Sequence, residues 1–122
     1  MPQITKQYKF CAAHKYWNDD WDENKNIEVF DKDVKLHGHN YDLYVTIKGP
    51  IDSNSGFVIN LKYLNEIVSD KVIKVLDHSL IQDNEWFKGK QPSTENLVVF
   101  IWNQISTEIS GSAKLHCIKL RE

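Results

Sequence analysis

Three segments of the chain alternate between apolar and polar residues, which is the pattern of strands that bury one face. They span about residues 4–14, 36–48 and 113–122. The more apolar face of the first carries Ile4, Lys6, Tyr8, Phe10, Ala12 and His14, with Lys6 as the charged exception. The corresponding face of segment 36–48 carries His37, His39, Tyr41, Leu43, Val45 and Ile47. That of segment 113–122 carries His116, Ile118, Leu120 and Glu122. Each set is expected to line one face of a sheet.

Two other segments repeat apolar residues at helical spacing. The first covers about residues 61–76 and has its stripe at Leu61, Leu64, Val68, Val72, Val75 and Leu76. The second opens after Pro92-Ser93-Thr94, whose hydroxyls can cap a helix, and its stripe is Leu97, Val98, Ile101, Trp102, Ile105 and Ile109. The order strand, strand, helix, helix, strand predicts an α+β fold with two helices on one face of an antiparallel sheet. Residues 15–35 lack a sustained period and are interpreted as a long loop.

Composition narrows the classes of protein to consider. A length of 122 residues suits a single domain, 1–122. With 15 basic and 17 acidic residues the net charge is −2, so nothing argues for nucleic acid as a partner. No apolar run approaches the ~20 residues of a membrane helix, and the N-terminus lacks the apolar core of a signal peptide. The two cysteines, Cys11 and Cys117, cannot form a disulfide framework, which favours a cytoplasmic location. Both are interpreted as small apolar residues rather than nucleophiles.

Histidines give the sharpest chemical signal. His37 and His39 are two residues apart in a predicted strand, so both imidazoles project from the same face. His14 ends the apolar face of the preceding strand and comes close to them if the two strands pair as a hairpin. Burial of adjacent imidazoles costs free energy unless they are hydrogen-bonded or bound to a metal. Three imidazoles with an open fourth position suit a catalytic zinc ion.

Other polar residues allow both a structural and a functional interpretation. Asp77 beside His78 at a helix end can be a cap in a solvated loop, or a carboxylate that orients an imidazole for proton transfer. Glu95 is sufficiently explained by the helix dipole. Glu122 either belongs to a frayed terminus or accepts hydrogen bonds from a ligand with two neighbouring N–H donors.

Taken together, these motifs resemble the family of 6-pyruvoyl-tetrahydropterin and 6-carboxy-tetrahydropterin synthases. The matching segments are Phe10-Cys11-Ala12-Ala13-His14, Leu36-His37-Gly38-His39-Asn40-Tyr41, the turn through Asp52 and Gly56, Leu76-Asp77-His78, Pro92-Ser93-Thr94-Glu95-Asn96-Leu97, and the last strand up to Glu122. Their order and spacing cover nearly the whole chain. The combined pattern is specific, whereas His-Gly-His alone is not.

The resemblance implies a tunnelling fold, in which a four-stranded antiparallel sheet carries two helices on one side. It implies subunits that assemble into trimers and then into hexamers, with active sites between subunits. The implied ligands of Zn²⁺ are His14, His37 and His39. Glu122 would anchor the pterin ring with help from Ser93, Thr94 and Glu95, and Asp77 and His78 of the adjacent subunit would transfer protons.

The implied activity is that of a lyase on 7,8-dihydroneopterin triphosphate. The resemblance points to a 6-carboxy-5,6,7,8-tetrahydropterin synthase of the queuosine pathway or to the related 6-pyruvoyl-tetrahydropterin synthase. One departure from the family concerns the cysteine expected shortly before His37, where Asp33 stands instead. A carboxylate with an ordinary pKa of ~3.9 is a weaker base than a thiolate. Family members with Glu in this position yield 6-hydroxymethyl-dihydropterin, so the product stays open.

Other classes of protein remain as alternatives. A pterin- or purine-binding protein without catalysis would fit the missing cysteine, and binding without turnover would identify it. Cupins also use His-x-His on a strand, but the two amphipathic helices argue against that fold. A metallo-β-lactamase-like site would need an adjacent Asp-His, which is missing from the segment His37-x-His39-x-x-Asp42.

Overall fold

Four strands form one sheet in the order β3-β1-β2-β4 in the computed structural model, which describes residues 1–122. The strands are β1 (Gln3–His14), β2 (His37–Lys48), β3 (Ser79–Leu80) and β4 (Lys114–Arg121). β2 pairs antiparallel with both β1 and β4. β3 is parallel to β1, so the expectation of a wholly antiparallel sheet is wrong in this detail. The cause is local, because the chain turns after Leu76 and follows β1 in the same direction for only two residues.

The two predicted helices are present. The first consists of α2 (Leu61–Val68), a π-helical segment (Ser69–Ile73) and α3 (Lys74–Leu76), which follow one another without a break. The second is α4 (Thr94–Ser106), and its N-cap Ser93 accepts a hydrogen bond from the Asn96 amide at 3.1 Å. It ends three residues before Ile109, the last member of the predicted stripe. No helix is both long and apolar enough to cross a bilayer.

The core lies between the helices and one face of the sheet, which confirms the predicted α+β arrangement. β1 and β2 pair so that Phe10 lies opposite Tyr41 and His14 opposite His37. The apolar sets of β1 and β2 identified from alternation therefore share one face. In β4 a bulge opposite Thr46 and Ile47 pairs Leu115 with Ile47, so Leu115 packs against the core with Ile118 and Leu120. The expectation that His116 shares their face is wrong, because this residue is exposed. The residues of this core with no exposed surface include Leu43, Val45, Ile47, Leu64, Leu76, Leu97, Ile101 and Ile105. Side chains of period two on the strands thus meet side chains of helical period from α2, α3 and α4.

The segment between β1 and β2 is more regular than expected. It contains α1 (Glu23–Phe30) and a 3-10 turn (Asp31–Val34), so its interpretation as a loop is wrong. The helix escapes a search for apolar periodicity because polar groups hold it. Asp22 caps it by accepting from the Lys25 amide at 2.8 Å. Asn26 is fully buried and links the helix to the chain before it. Its side chain accepts from the Asn18 amide at 2.7 Å and donates to the Asn18 carbonyl at 3.0 Å.

Replacement of Asn26 tests this polar anchor. Asn26→Ala leaves buried backbone groups without partners, and we expect the free energy of unfolding to fall by about 1–3 kcal/mol. Chemical denaturation of both proteins measures the difference. The control is Asn24→Ala, which changes an exposed residue of the same helix and should have almost no effect. Equal stability of the two variants would contradict the anchoring role.

Candidate metal centre and substrate site

Three imidazoles meet at the end of the β1–β2 ladder. The ring centroids of His14 and His37 are 4.5 Å apart, and each lies 5.0 Å from that of His39. The candidate ligand atoms all lie within 4.8 Å of one another. Strand pairing produces this cluster, because His14 lies opposite His37, and His39 is on the same face two residues later.

Backbone carbonyls orient two of these rings. His14 donates from Nδ1 to the Pro92 carbonyl at 2.7 Å, and His37 donates from Nδ1 to the Lys35 carbonyl at 2.8 Å. In both rings the proton is thereby fixed on Nδ1, and the lone pair of Nε2 is free to bind a metal ion or to accept a hydrogen bond. Hydrogen bonds of this kind are typical of histidines that bind metals, since they fix the tautomer and raise the basicity of the ligating nitrogen.

His14 provides the most specific sign of a metal. The residue has no exposed surface, and its Nε2 is buried without any hydrogen-bond partner. Burial lowers the pKa of His14 below its ordinary value, and the neighbouring imidazoles lower it further, against a raising effect of the Pro92 carbonyl. The ring is therefore neutral at neutral pH. A buried lone pair without a partner is costly, and a divalent cation among the three rings would satisfy it.

Two carboxylates border the cluster. Glu122 Oε1 lies 2.9 Å from His39 Nε2, and Asp33 Oδ1 lies 3.7 Å from His37 Nε2. The Asp33 carbonyl also accepts from the Tyr16 amide at 2.9 Å, which ties the 3-10 turn to the chain after β1. The turn that follows α1 thus places Asp33 beside the imidazoles.

The segment Ser93–Glu95 approaches the same cluster from the helical side. Ser93 and Thr94 start α4, and the carbonyl of Pro92 just before them holds His14. Glu95 lies in the first turn, close enough for its charge to help raise the pKa of Tyr16. The start of α4 is therefore part of the wall of this site.

Two tyrosines also belong to the site and were not identified from the sequence. The Tyr16 ring lies 4.9 Å from that of His14, and burial raises the pKa of Tyr16 to about 12. The Tyr41 ring lies 5.8 Å from that of His39, and its buried hydroxyl has no hydrogen-bond partner. Burial also raises the pKa of Tyr41. Both phenols stay protonated and can donate. Their only sequence signal is that of ordinary core aromatics.

Asp77 and His78 do not join this cluster. The two are 3.0 Å apart, measured from Asp77 Oδ2 to His78 Nδ1. Cys11 lies against both of them, with its amide donating to Asp77 Oδ1 at 2.9 Å and its Sγ 3.7 Å from His78 Nε2. Cys11 alternates with the core residues Phe10 and Ala12, so its side chain is on the opposite face of the sheet. The interpretation of Cys11 as a small apolar residue did not include these contacts with Asp77 and His78. Cys117 is exposed.

Comparisons with known proteins find one group of similar proteins. The family model described as 6-pyruvoyl tetrahydropterin synthase matches residues 3–122. A 6-pyruvoyl tetrahydrobiopterin synthase of Drosophila melanogaster is 35% identical over 122 residues, which cover 98% of this chain and 73% of that protein. A dihydroneopterin monophosphate aldolase of Pyrococcus furiosus is 32% identical over 98% of this chain and 89% of its own length.

A solved structure extends the comparison to the fold. The 6-pyruvoyl tetrahydropterin synthase of Caenorhabditis elegans superposes with a TM-score of 0.88 at 29% identity, over 100% of this chain and 90% of that one. The expected tunnelling fold is thereby confirmed.

Loss of one imidazole tests the metal centre. His39→Ala should bind zinc far more weakly, because two ligands remain where a catalytic zinc site usually has three. Elemental analysis of the purified protein after dialysis measures the metal content. The control is His116→Ala, which removes an exposed imidazole of β4 and should keep the metal. Equal zinc in both variants would refute the ligand role of His39.

The lowered pKa of His14 makes a second prediction, about the metal-free protein. In the unfolded chain, His14 is protonated below its ordinary pKa of about 6.5. The buried ring in the folded protein has a lower pKa and stays neutral to lower pH. The contribution of the neutral His14 ring to the free energy of unfolding is therefore fully present above that pH and is lost as the pH falls below it. Thermal unfolding with a chelator should show a shallower loss on acidification for His14→Gln, which keeps a donor for the Pro92 carbonyl. His116→Gln should lose stability on acidification as the parent protein does. If His14→Gln also loses stability as steeply as the parent protein, the acid sensitivity does not come from His14.

Proposed function

Since this chain belongs to the 6-pyruvoyl tetrahydropterin synthase family, we propose that it is a zinc-dependent lyase acting on 7,8-dihydroneopterin triphosphate. The observation that carries the proposal is the buried, unpartnered Nε2 of His14 beside two further imidazoles. His14, His37 and His39 would hold the zinc ion. We place the product in the 6-carboxy- or 6-pyruvoyl-tetrahydropterin branch, as the resemblance implies.

Zinc, when bound, supplies a Lewis acid that lowers the pKa of the hydroxyls or carbonyl of the substrate side chain. The protein supplies the rest. The carbonyls of Pro92 and Lys35 keep two imidazoles in the ligating tautomer. Tyr16 and Tyr41, protonated at neutral pH, offer O–H donors toward an oxygen that gains negative charge.

Glu122 is proposed to anchor the pterin ring. A pterin presents neighbouring N–H donors on one edge, and a carboxylate can accept two of them at once. The Glu122 carboxylate lies beside His39, so a ring held there would direct its side chain toward the imidazoles. Ser93, Thr94 and Glu95 are proposed to help, since they start α4 directly after the Pro92 carbonyl that contacts His14.

Asp33 is proposed as the base. Its carboxylate lies near His37, and its side chain is 54% exposed, so it is accessible to substrate. A proton leaves the substrate carbon or hydroxyl and forms an O–H bond on the Asp33 carboxylate.

The same residue favours a second candidate product, 6-hydroxymethyl-dihydropterin. A carboxylate occupies the position where the family usually has a thiolate. Moreover, one of the relatives described above is named a dihydroneopterin monophosphate aldolase. A protein that binds pterin without turnover is the remaining alternative.

The site is proposed to lie between subunits of a homo-hexamer built from two trimers. Support comes from the position of Asp77 and His78 on the sheet face opposite the imidazoles of their own chain. The His78 side chain is 79% exposed, so a neighbouring subunit can reach it. The pair would transfer protons at the metal centre of that neighbour.

Incubation with 7,8-dihydroneopterin triphosphate, followed by mass spectrometry, tests the activity and identifies the product. Release of acetaldehyde marks the 6-carboxy branch, retention of the three-carbon side chain marks the 6-pyruvoyl branch, and 6-hydroxymethyl-dihydropterin marks the second candidate. Asp33→Asn should lower turnover by about 100-fold or more while zinc stays bound. Asp31→Asn, two residues away and exposed, is the matched control. Full activity of Asp33→Asn would exclude Asp33 as the base.

Glu122→Gln tests the anchor. The amide of Gln has one acceptor oxygen where the carboxylate has two, so one charge-assisted hydrogen bond to the pterin is lost. We therefore expect the Kd of a non-reacting pterin to rise about tenfold. Calorimetric titration of the zinc-loaded protein measures it. Glu66→Gln, on the exposed side of α2, should bind as the parent protein does. An unchanged affinity in Glu122→Gln would remove this residue from the site.

A further inference from the structure

A cysteine, a histidine and an aspartate stand in line on the sheet face that the helices leave uncovered. Cys11 Sγ is 3.7 Å from His78 Nε2, and His78 Nδ1 is 3.0 Å from Asp77 Oδ2. The second carboxylate oxygen of Asp77 accepts from the Cys11 amide at 2.9 Å. This hydrogen bond, followed by that with His78, lowers the pKa of Asp77, so its carboxylate is ionised at neutral pH.

One ligand atom from each of these three residues lies within 4.8 Å of the others, as in the histidine cluster, but the arrangement suits proton transfer better than metal binding. An imidazole binds a given metal ion through one nitrogen, and metal ligands converge on one point. Here the two nitrogens of His78 address two different partners on opposite sides of the ring. That is the order of a thiol, a base and an orienting carboxylate in enzymes that activate cysteine.

The backbone holds the three residues in place. His78 has a φ of 59°, a left-handed conformation that non-glycine residues rarely adopt. Its amide donates to the Cys11 carbonyl at 2.6 Å, immediately before β3 pairs with Ala12 and Ala13. The turn at the end of α3 therefore holds the backbone of His78 against β1, while the side chain stays 79% exposed beside Cys11.

An open cavity of about 540 Å³ adjoins this cluster. Its lining includes Cys11, Ala13, Gly38, Asn40, His78 and Leu80. The small residues Ala13 and Gly38 leave room next to the thiol. A group the size of a substrate side chain can thus reach Sγ.

We propose that Cys11 is a catalytic thiol, activated by His78 and oriented through Asp77, and that it exchanges protons with substrate held at the metal centre of a neighbouring subunit. In the step itself, the S–H bond of Cys11 breaks and an N–H bond forms at His78 Nε2. The thiolate then takes a proton from the substrate and becomes a thiol again, and the imidazolium returns its proton to the substrate. No oxidant or further reactant is needed.

The role of Cys11 as a catalytic thiol rests on the proposed function. It supplies a thiol to a site in which Asp33 stands where the family usually has a cysteine. Asp33 and Cys11 would act from different subunits and on different protons. Cys11 and His39 project from opposite faces of the sheet, and the proposed transfer therefore uses the thiol of one chain and the metal centre of another.

Alkylation tests the thiol without any need for activity. At neutral pH, iodoacetamide should modify Cys11 at least about tenfold faster than Cys117, since a thiolate is the reacting species. Mass spectrometry of the peptides gives both rates from one sample. His78→Gln should slow the modification of Cys11 and leave that of Cys117 unchanged. Equal rates at the two cysteines, or no effect of His78→Gln, would overturn the proposal.

Turnover tests the catalytic role. Cys11→Ala should lose about 100-fold in turnover while zinc content and pterin affinity stay unchanged, and Cys117→Ala should match the parent protein. Full activity of Cys11→Ala would overturn the proposal, as would a second zinc ion per chain that this substitution removes. A parent protein that turns over no substrate would refute the proposed function instead, and alkylation would still decide whether the thiol is activated.

Mixed assemblies test the placement between subunits. Cys11→Ala and His39→Ala chains, each nearly inactive alone, should recover activity when they are co-expressed. Recovery is expected because one chain supplies an intact metal centre and the other an intact thiol. Mixed assemblies that stay inactive would refute the transfer between subunits.

Discussion

The register of the ladder between β1 and β2 is the constraint on which the rest of the site depends. It places His14 opposite His37 and Ala12 opposite His39, so that the three imidazoles share one end and one face. A slip of the register by one residue would move all the core-facing side chains of one strand to the other face of the sheet. The buried residues Leu43, Val45 and Ile47 prevent such a slip, because it would expose them. The core thus fixes the site through strand register rather than through direct contact.

The sheet separates two kinds of chemistry. The helix-covered face ends in imidazoles whose tautomers are fixed by carbonyls of loops, which suits a cation. The other face carries Cys11 with Asp77 and His78, which suits proton transfer. The side chains of the two groups project from opposite faces of the sheet. The proposed assembly with sites between subunits would bring the imidazoles of one chain and the Cys11 group of another to the same substrate.

Polar contacts position the acidic side of the site, together with the packing of Phe30 against Trp21 and Tyr16. The buried amide of Asn26 joins α1 to the preceding turn, and the 3-10 turn after α1 carries Asp33. The Asp33 carbonyl is tied to Tyr16, whose ring lies against His14. The segment between the first two strands is therefore a structured wall of the site, although its sequence shows no apolar period.

The sequence by itself determined the elements whose signal is local. Alternation identified the faces of β1 and β2, helical spacing identified residues 61–76 and the start of α4, and the spacing of His37 and His39 put two imidazoles side by side. Tertiary structure decided the rest. The parallel pairing of β3, the buried amide that holds α1, and the contact between Cys11 and His78 all depend on residues outside one repeat of a strand or helix. Cys11 and His78 are 67 positions apart, and no periodicity within either segment encodes their meeting. Only the packing of α3 and its turn against β1 brings them together.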